Sequence, residues 1–241
     1  MRKRGEKKLL IYVMSDLHGM YDEFIAMIKK IDFNIGDELF ILGDIVDRGD
    51  KAAEILNYII DKPNIVPLMG NHEMMAISIL QRLNIEITEE NAQTHIDEKT
   101  ISDIIDYQIN GGTPTLEGFK KLPQEKREIL TEFMTDFLPY AVIDVGDKTF
   151  VLVHAGLGNF NESKKLSEYT LPELLDIRPD YERKYFDDSS IYIVSGHTPT
   201  QQISGKAEIY RSHNNIVIDC GAVFGGKLAC LRLDDMKEFY V

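Results

Sequence analysis

Short apolar runs, each closed by a polar turn, recur through the first part of the chain. Leu9-Leu10-Ile11-Tyr12-Val13-Met14, Glu38 to Leu42 and Ile65-Val66-Pro67-Leu68 are too short for buried helices. Each predicts a buried strand. Between them, Tyr21 to Ile31 sets Phe24, Ile25, Ile28 and Ile31 at helical spacing. Lys51 to Ile60 does the same with Ile55, Leu56 and Ile59. Strand, polar turn and helix therefore alternate three times. That is the pattern of a parallel sheet, whose ligands gather beyond the carboxyl ends of the strands.

The pattern changes from about residue 73 to residue 137. Met74 to Leu83, Asp97 to Gln108, Thr115 to Lys121 and Gln124 to Phe137 read as amphipathic helices, interrupted at Asn110-Gly111-Gly112 and Leu122-Pro123. They form a helical insertion over the sheet. The last hundred residues are rich in strands. Ala141 to Val145, Gly146-Asp147 and Thr149 to Val153 predict a hairpin. Ile191 to Val194, Ala207 to Tyr210, Ile216 to Ile218, Lys227 to Leu233 and Glu238 to Val241 add further strands. A parallel first half and a hairpin-rich second half predict an α/β two-sheet sandwich flanked by helices, with residues 1–241 as one domain.

Composition narrows the function. The 241 residues carry a formal net charge of -13, which argues against a nucleic-acid partner, because such binding relies on Lys and Arg neutralising phosphates. The longest apolar runs are too short to span a bilayer, and no secretory apolar segment stands near the start. Arg2, Lys3, Arg4, Lys7 and Lys8 read as a solvated basic tail. Cys220 and Cys230 are the only cysteines, without C-x-x-C spacing, so the expectation is a reduced, cytoplasmic protein with no membrane partner.

Each polar cluster sits at the end of a predicted strand. After the first comes Ser15-Asp16-Leu17-His18-Gly19, after the second Gly43-Asp44-Ile45-Val46-Asp47-Arg48-Gly49, and after the third Gly70-Asn71-His72-Glu73. Two later strands deliver His154-Ala155-Gly156 and Ser195-Gly196-His197-Thr198. Four of the six histidines stand in these positions, whereas His95 and His213 lie outside them and read as surface or structural. Taken singly, Asp16 and Asn71 would read as helix caps and His154 as a core histidine. Together at one rim, Asp, His and Asn without thiolate suit manganese, iron or zinc. Two such ions about 3.5–4 Å apart can activate a shared water, while an arginine holds the phosphoryl oxygens.

These motifs resemble the calcineurin-like metallophosphoesterases. Within them the closer likeness is to the branch that holds serine/threonine protein phosphatases and symmetrical diadenosine tetraphosphatases. The likeness spans Asp16 to His197 in the family's order, with 28 residues from Asp16 to Asp44 and 27 from Asp44 to Asn71. It implies two metal ions, manganese foremost, with iron or zinc as alternatives. Asp16 and His18 would hold the first and Asp44 would bridge both, while Asn71, His154 and His197 would complete the second. His72 would be the general acid, oriented by Asp47. Arg48 would grip the phosphate, joined by Arg178, with Arg183 as the alternative. Ser15 stands where the family usually has glycine. Met69 stands where many eukaryotic members carry an arginine, and that lost charge bears on the protein-phosphatase assignment.

The resulting expectation is a phosphomonoesterase that attacks phosphoserine or phosphothreonine in proteins with a metal-bridging hydroxide. The alternative is a symmetrical bis(5'-nucleosyl)-tetraphosphatase. A more distant one is a non-catalytic scaffold of the same fold. Asp47 and Gly196-His197-Thr198 separate the first two, since symmetrical tetraphosphatases commonly replace the aspartate equivalent to Asp47.

Overall fold

A computed structural model describes residues 9–85 and 97–241. The basic tail and His95 lie outside the described residues. Two five-stranded sheets face each other, with helices outside both. The first sheet holds β1 (Ile11–Met14), β2 (Glu38–Ile41), β3 (Ile65–Pro67), β9 (Ala229–Arg232) and β10 (Lys237–Tyr240), in the order β10-β9-β1-β2-β3. β1, β2 and β3 run parallel, whereas β9 pairs antiparallel with β1 and β10 antiparallel with β9 at the edge. The second sheet holds β4 (Tyr140–Val145), β5 (Lys148–Val153), β6 (Ile191–Ser195), β7 (Tyr210–Ser212) and β8 (Asn215–Val217), ordered β4-β5-β6-β8-β7. β5, β6 and β8 are parallel.

The period-two alternation of the strands divides the interior into three cores. Ile11, Val13, Phe40, Phe150, Leu152, Val194, Ile216 and Leu231 fill the space between the sheets. Tyr12, Met14, Leu39 and Ile41 point the other way, into α1 (Tyr21–Lys30), α2 (Ala52–Ile59) and α3 (Asn71–Leu83). Val151, Val153 and Ile193 meet Leu174 and Leu175 of α7 (Leu171–Leu175) on the far side. The expected two-sheet arrangement is therefore present.

The segment read as an insertion holds α3, α4 (Glu98–Tyr107), α5 (Thr113–Lys120) and α6 (Gln124–Thr135), with the π-type turn Gln108–Gly112 between α4 and α5. α3 begins at Asn71, three residues before the apolar spacing starts, because Glu73 closes its first turn onto Gly70. The strand expected over Ala207 to Tyr210 lies instead at Tyr210–Ser212. The Ser212–Asn215 pair leaves a two-residue turn, with His213 left-handed at φ 48°, and that turn sets the register. The last helix, α8, covers Thr200–Ser204. Cys220 and Cys230 are both buried and free. Among the described residues, no helix is long and apolar enough to cross a membrane.

Phe150 is fully buried between the sheets and stacks on Tyr192 at 5.3 Å. Phe150→Ala is expected to lower the unfolding free energy by about 3–5 kcal/mol in urea titrations followed by circular dichroism. Val142→Ala, on the half-exposed face of β4, should change it by about 0.5 kcal/mol or less.

Candidate active site

The two sheets present their parallel strand ends to one rim, and the polar clusters meet there. β1 leads to Asp16 and His18, β2 to Asp44, Asp47 and Arg48, β3 to Asn71 and His72, β5 to His154 and β6 to His197. Backbone strain is concentrated at the same place. Of ten non-glycine residues with positive φ among the described residues, six are Asp16, His18, Asp44, Asp47, Arg48 and His197. L-residues held left-handed cost about 1–2 kcal/mol each, and such strain gathers at functional sites.

The tight bends bring the loops close enough for contact. A side chain on Gly70 would meet the Asp44 amide at 2.5 Å, so only glycine lets β3 end against the loop after β2. A side chain on Gly196 would overlap the Ser15 hydroxyl and the Asp16 carboxylate. The left-handed bend after β2 also leaves amides without ladder partners. Glu73, fully buried, collects them: Oε2 accepts from Asp44 N at 2.7 Å and Gly70 N at 2.9 Å, while Oε1 accepts from Ile45 N at 2.7 Å and Val46 N at 3.1 Å. Burial, followed by the nearby Asp44 charge, pushes its carboxyl up to about 7, against the pull of those amides.

Asp44 sits at the centre. Its Oδ1 accepts from the His72 amide at 3.2 Å, at the start of α3, and lies 3.4 Å from His154 Nε2. Its Oδ2 lies 3.5 Å from His18 Nε2 and 3.9 Å from His72 Nε2. Backbone carbonyls fix two of the imidazole tautomers. His18 Nδ1 donates to Val46 O at 2.9 Å and His154 Nδ1 to Leu42 O at 2.6 Å, so each Nε2 keeps its lone pair. His154 Nε2 also faces Asn71 Oδ1 at 3.0 Å and His197 Nδ1 at 3.2 Å.

The lone pairs of His18 and His154 thus converge on the Asp44 oxygens, which is the arrangement a cation relieves. Two sets, His18 with Asp44 and His72, and Asp44 with His154 and His197, each bring their ligand atoms within 4.8 Å of one another. The oxygen and imidazole donors fit a divalent ion of the borderline class. Asp16 belongs to neither set: its Oδ2 takes the Ser15 hydroxyl and, at 3.0 Å, the His197 amide.

The electrostatics follow from burial. It pushes His18 down to about 3, against the pull of Asp44, and His197 down to about 4 with the His154 charge adding to it. Burial works against the Asp44 charge as well, yet the imidazoles around it, His154 and His72 first, hold its carboxyl below the usual range. Asp16 is raised well above that range by burial and by the neighbouring Asp219 and Asp44. Burial opposes protonation of His72 too, but Asp44 and the Asp47 hydrogen bond raise it.

Asp47 is built to orient His72. Its Oδ2 takes His72 Nδ1 at 2.7 Å, while Oδ1 accepts Thr115 Oγ1 at 2.7 Å and the Tyr107 hydroxyl. Both supports come from the helical segment, which also accepts the Arg48 amide on Gly111 O at 2.8 Å. The Arg48 guanidinium donates to His18 Nε2 and, at 2.9 Å, to His72 Nε2. Arg178 is exposed beside α8, 3.3 Å from Gln202 Oε1, and its charge acts on His197 and Asp219. Arg183 instead lies over the Phe160 and Tyr185 rings.

Reasoning from sequence gave no role to Glu73, Tyr107, Thr115 or Asp219. A glutamate three residues after an N-cap can reach back to the cap amide, as Glu73 does to Gly70 N, and that position could have marked it. Tyr107 and Thr115 stand 60 and 68 residues from Asp47, so only the fold reveals them. A cavity of 340 Å³ opens beside Tyr107 between α3 and α4, lined by Met75, Ser78, Ile79, Arg82 and Asp106 among others.

The sequence model of the family described as calcineurin-like phosphoesterase matches residues 9–227. Bis(5'-nucleosyl)-tetraphosphatase PrpE (asymmetrical) of Geobacillus sp. (strain WCH70) is 27% identical over 259 residues, which cover 96% of this chain and 93% of the relative. The protein of that name from Bacillus subtilis (strain 168) is 25% identical over 254 residues, covering 95% and 93%. Among solved structures, a candidate diadenosine tetraphosphatase superposes with a TM-score of 0.66 at 14% identity, over 98% of this chain and 94% of that one. A protein serine/threonine phosphatase from Saccharomyces cerevisiae gives 0.57 at 13% identity, over 95% and 74%. These two superpositions speak for the shared fold.

Glu73→Ala leaves four buried amides without an acceptor and is expected to destabilise the fold by about 4 kcal/mol or more in urea unfolding. Tyr107→Phe removes one of three hydrogen bonds to Asp47 and should cost about 1.5–3 kcal/mol in the same measurement.

Proposed function

The chain belongs to the calcineurin-like phosphoesterase family, and from that premise we propose that it is a metal-dependent hydrolase of bis(5'-nucleosyl) tetraphosphates. The observation that carries the hydrolytic chemistry is the convergence of unprotonated imidazole nitrogens on the buried Asp44 carboxylate, beside a guanidinium. The substrate class rests on the PrpE relatives, aligned over nearly their whole length, and asymmetrical cleavage would yield a nucleoside triphosphate and a monophosphate. The cavity beside Tyr107 offers space along α3 for part of a two-nucleoside substrate.

In this reading Asp16 and His18 would hold one ion, Asn71, His154 and His197 would hold another, and Asp44 would serve both. When bound, such ions supply Lewis-acid polarisation of the phosphoryl group and an activated water. Arg48 is the anion clamp. Its two N–H edges rest on neutral imidazoles, and a phosphoryl oxygen is the stronger acceptor for both. Arg178, whose charge reaches His197, supports the same anion from the α8 side. Asp47 holds the His72 Nδ1 proton and favours the imidazolium, so that once Arg48 turns to the phosphate, Nε2 can carry a second proton and deliver it to a departing oxygen.

That acid supports a second reading, hydrolysis of phosphoserine or phosphothreonine. A serine alkoxide is a poor leaving group and needs a proton, whereas a nucleotide leaving an anhydride needs little help. An acid held by a buried aspartate with three hydrogen bonds is thus better matched to the ester.

The discriminating assay compares manganese-loaded protein on diadenosine tetraphosphate, a phosphoserine peptide and p-nitrophenyl phosphate, with nucleotide products identified. Faster turnover of the dinucleotide to ATP and AMP is the expected outcome. Two ADP would make the cleavage symmetrical, a faster peptide reaction would assign a protein phosphatase, and no turnover with manganese, iron or zinc would assign a scaffold. A chelator should abolish turnover. His72→Asn is expected to reduce kcat on the peptide by about 10²–10⁴-fold while bound manganese, read by metal analysis, persists. Loss of the metal instead would make His72 a ligand, as its place in the His18–Asp44 set allows.

A further inference from the structure

Phe224 is the one phenylalanine among the exposed large apolar side chains of the described residues, at 62% exposure. It stands at the rim of the site, on the 3₁₀ turn Ala222–Phe224 that follows β8. Its ring lies over Arg48, with the guanidinium carbon 5.1 Å from the ring centroid, within cation–π range. One face therefore covers the proposed phosphate clamp and the other faces solvent.

The turn holds the ring there. Gly221 and Gly225 flank it with left-handed φ of 67° and 83°. Phe224 N and Gly226 N both donate to Gly221 O at 2.9 Å, and Lys227 N donates to Cys220 O at 3.1 Å. A side chain on Gly226 would meet Cys220 O at 2.0 Å, so the turn closes on itself with little freedom. A rigid turn that keeps an aromatic ring out of the core, against the hydrophobic effect, suits a ligand that supplies the missing contact.

From this placement we infer that Phe224 is a stacking platform for a planar aromatic group carried by the phosphorylated substrate. Under the substrate reading above, on which this assignment rests, that group is a nucleobase. A phosphate taken by the Arg48 N–H edges would bring its substituent to the rim where this ring stands, and aromatic faces accept any base without hydrogen-bond readout. The ring then adds selectivity for aromatic over aliphatic phosphates at the same clamp.

Phe224→Leu keeps apolar cover on Arg48 and removes the π face, while Phe224→Trp keeps both. The measurement is kcat/KM of the manganese-loaded full chain on diadenosine tetraphosphate, p-nitrophenyl phosphate and glycerol 3-phosphate. Phe224→Leu is expected to lower the aryl-to-alkyl ratio of kcat/KM by about ten-fold, mainly through KM, and Phe224→Trp to restore it. A ratio that does not move, or equal losses on both esters, would overturn the inference and leave the ring as a cover for Arg48. Failure of the substrate reading is seen separately, as wild-type protein that does not favour the dinucleotide while the aryl-to-alkyl contrast persists.

Discussion

Everything at the rim depends on one carboxylate that makes no contact with substrate in the proposed reaction. The bend after β2 has to turn sharply to place Asp44, Asp47 and Arg48 on one side, and the left-handed residues that achieve this strip several amides of their partners. Buried amides without acceptors are expensive. Glu73 satisfies four of them from the first turn of α3, joining the end of β2 to the end of β3. Asp44 then lies at the start of α3, where the His72 amide and the helix dipole favour its charge. The aspartate between the two ligand sets is therefore placed by the same helix that carries Asn71 and His72.

A second dependence runs through the helical segment. Asp47 can orient His72 because Tyr107 and Thr115 occupy its other oxygen, and Arg48 is held because its amide donates to Gly111. The helices thus bind chemically to the loop they cover. Tyr107 belongs to both the wall of the cavity along α3 and the hydrogen bonds that fix Asp47 against His72. The Arg48 guanidinium is also covered by the exposed Phe224 ring, which comes from the turn after β8.

The strand ends carrying Asp16, His18, Asp44, Asn71, His72, His154 and His197 were legible in the chain, because apolar runs of fixed length followed by polar residues specify where a strand stops. The two-sheet class followed from the same runs. The sequence also named Asp47 and Arg48 through their place between Gly43 and Gly49. What linear order left hidden were partners far apart in the chain: Tyr107 and Thr115 for Asp47, Phe224 for Arg48 and Asp219 beside Asp16. The position of β7 was likewise set by the turn at His213-Asn214 rather than by its own apolar pattern.

By itself, then, the sequence determined which residue types reach the rim, since side-chain period and strand length are local properties. Only the tertiary structure decided which atoms face each other there. Carbonyls of Val46 and Leu42 fix the tautomers of His18 and His154, and they belong to other loops. The grouping of His72 with His18 and Asp44, and the turning of Asp16 toward Ser15 and the His197 amide, are set by loops closing across two sheets. Directional contacts of that kind depend on distances of a few ångströms between distant segments, which spacing along a chain does not encode.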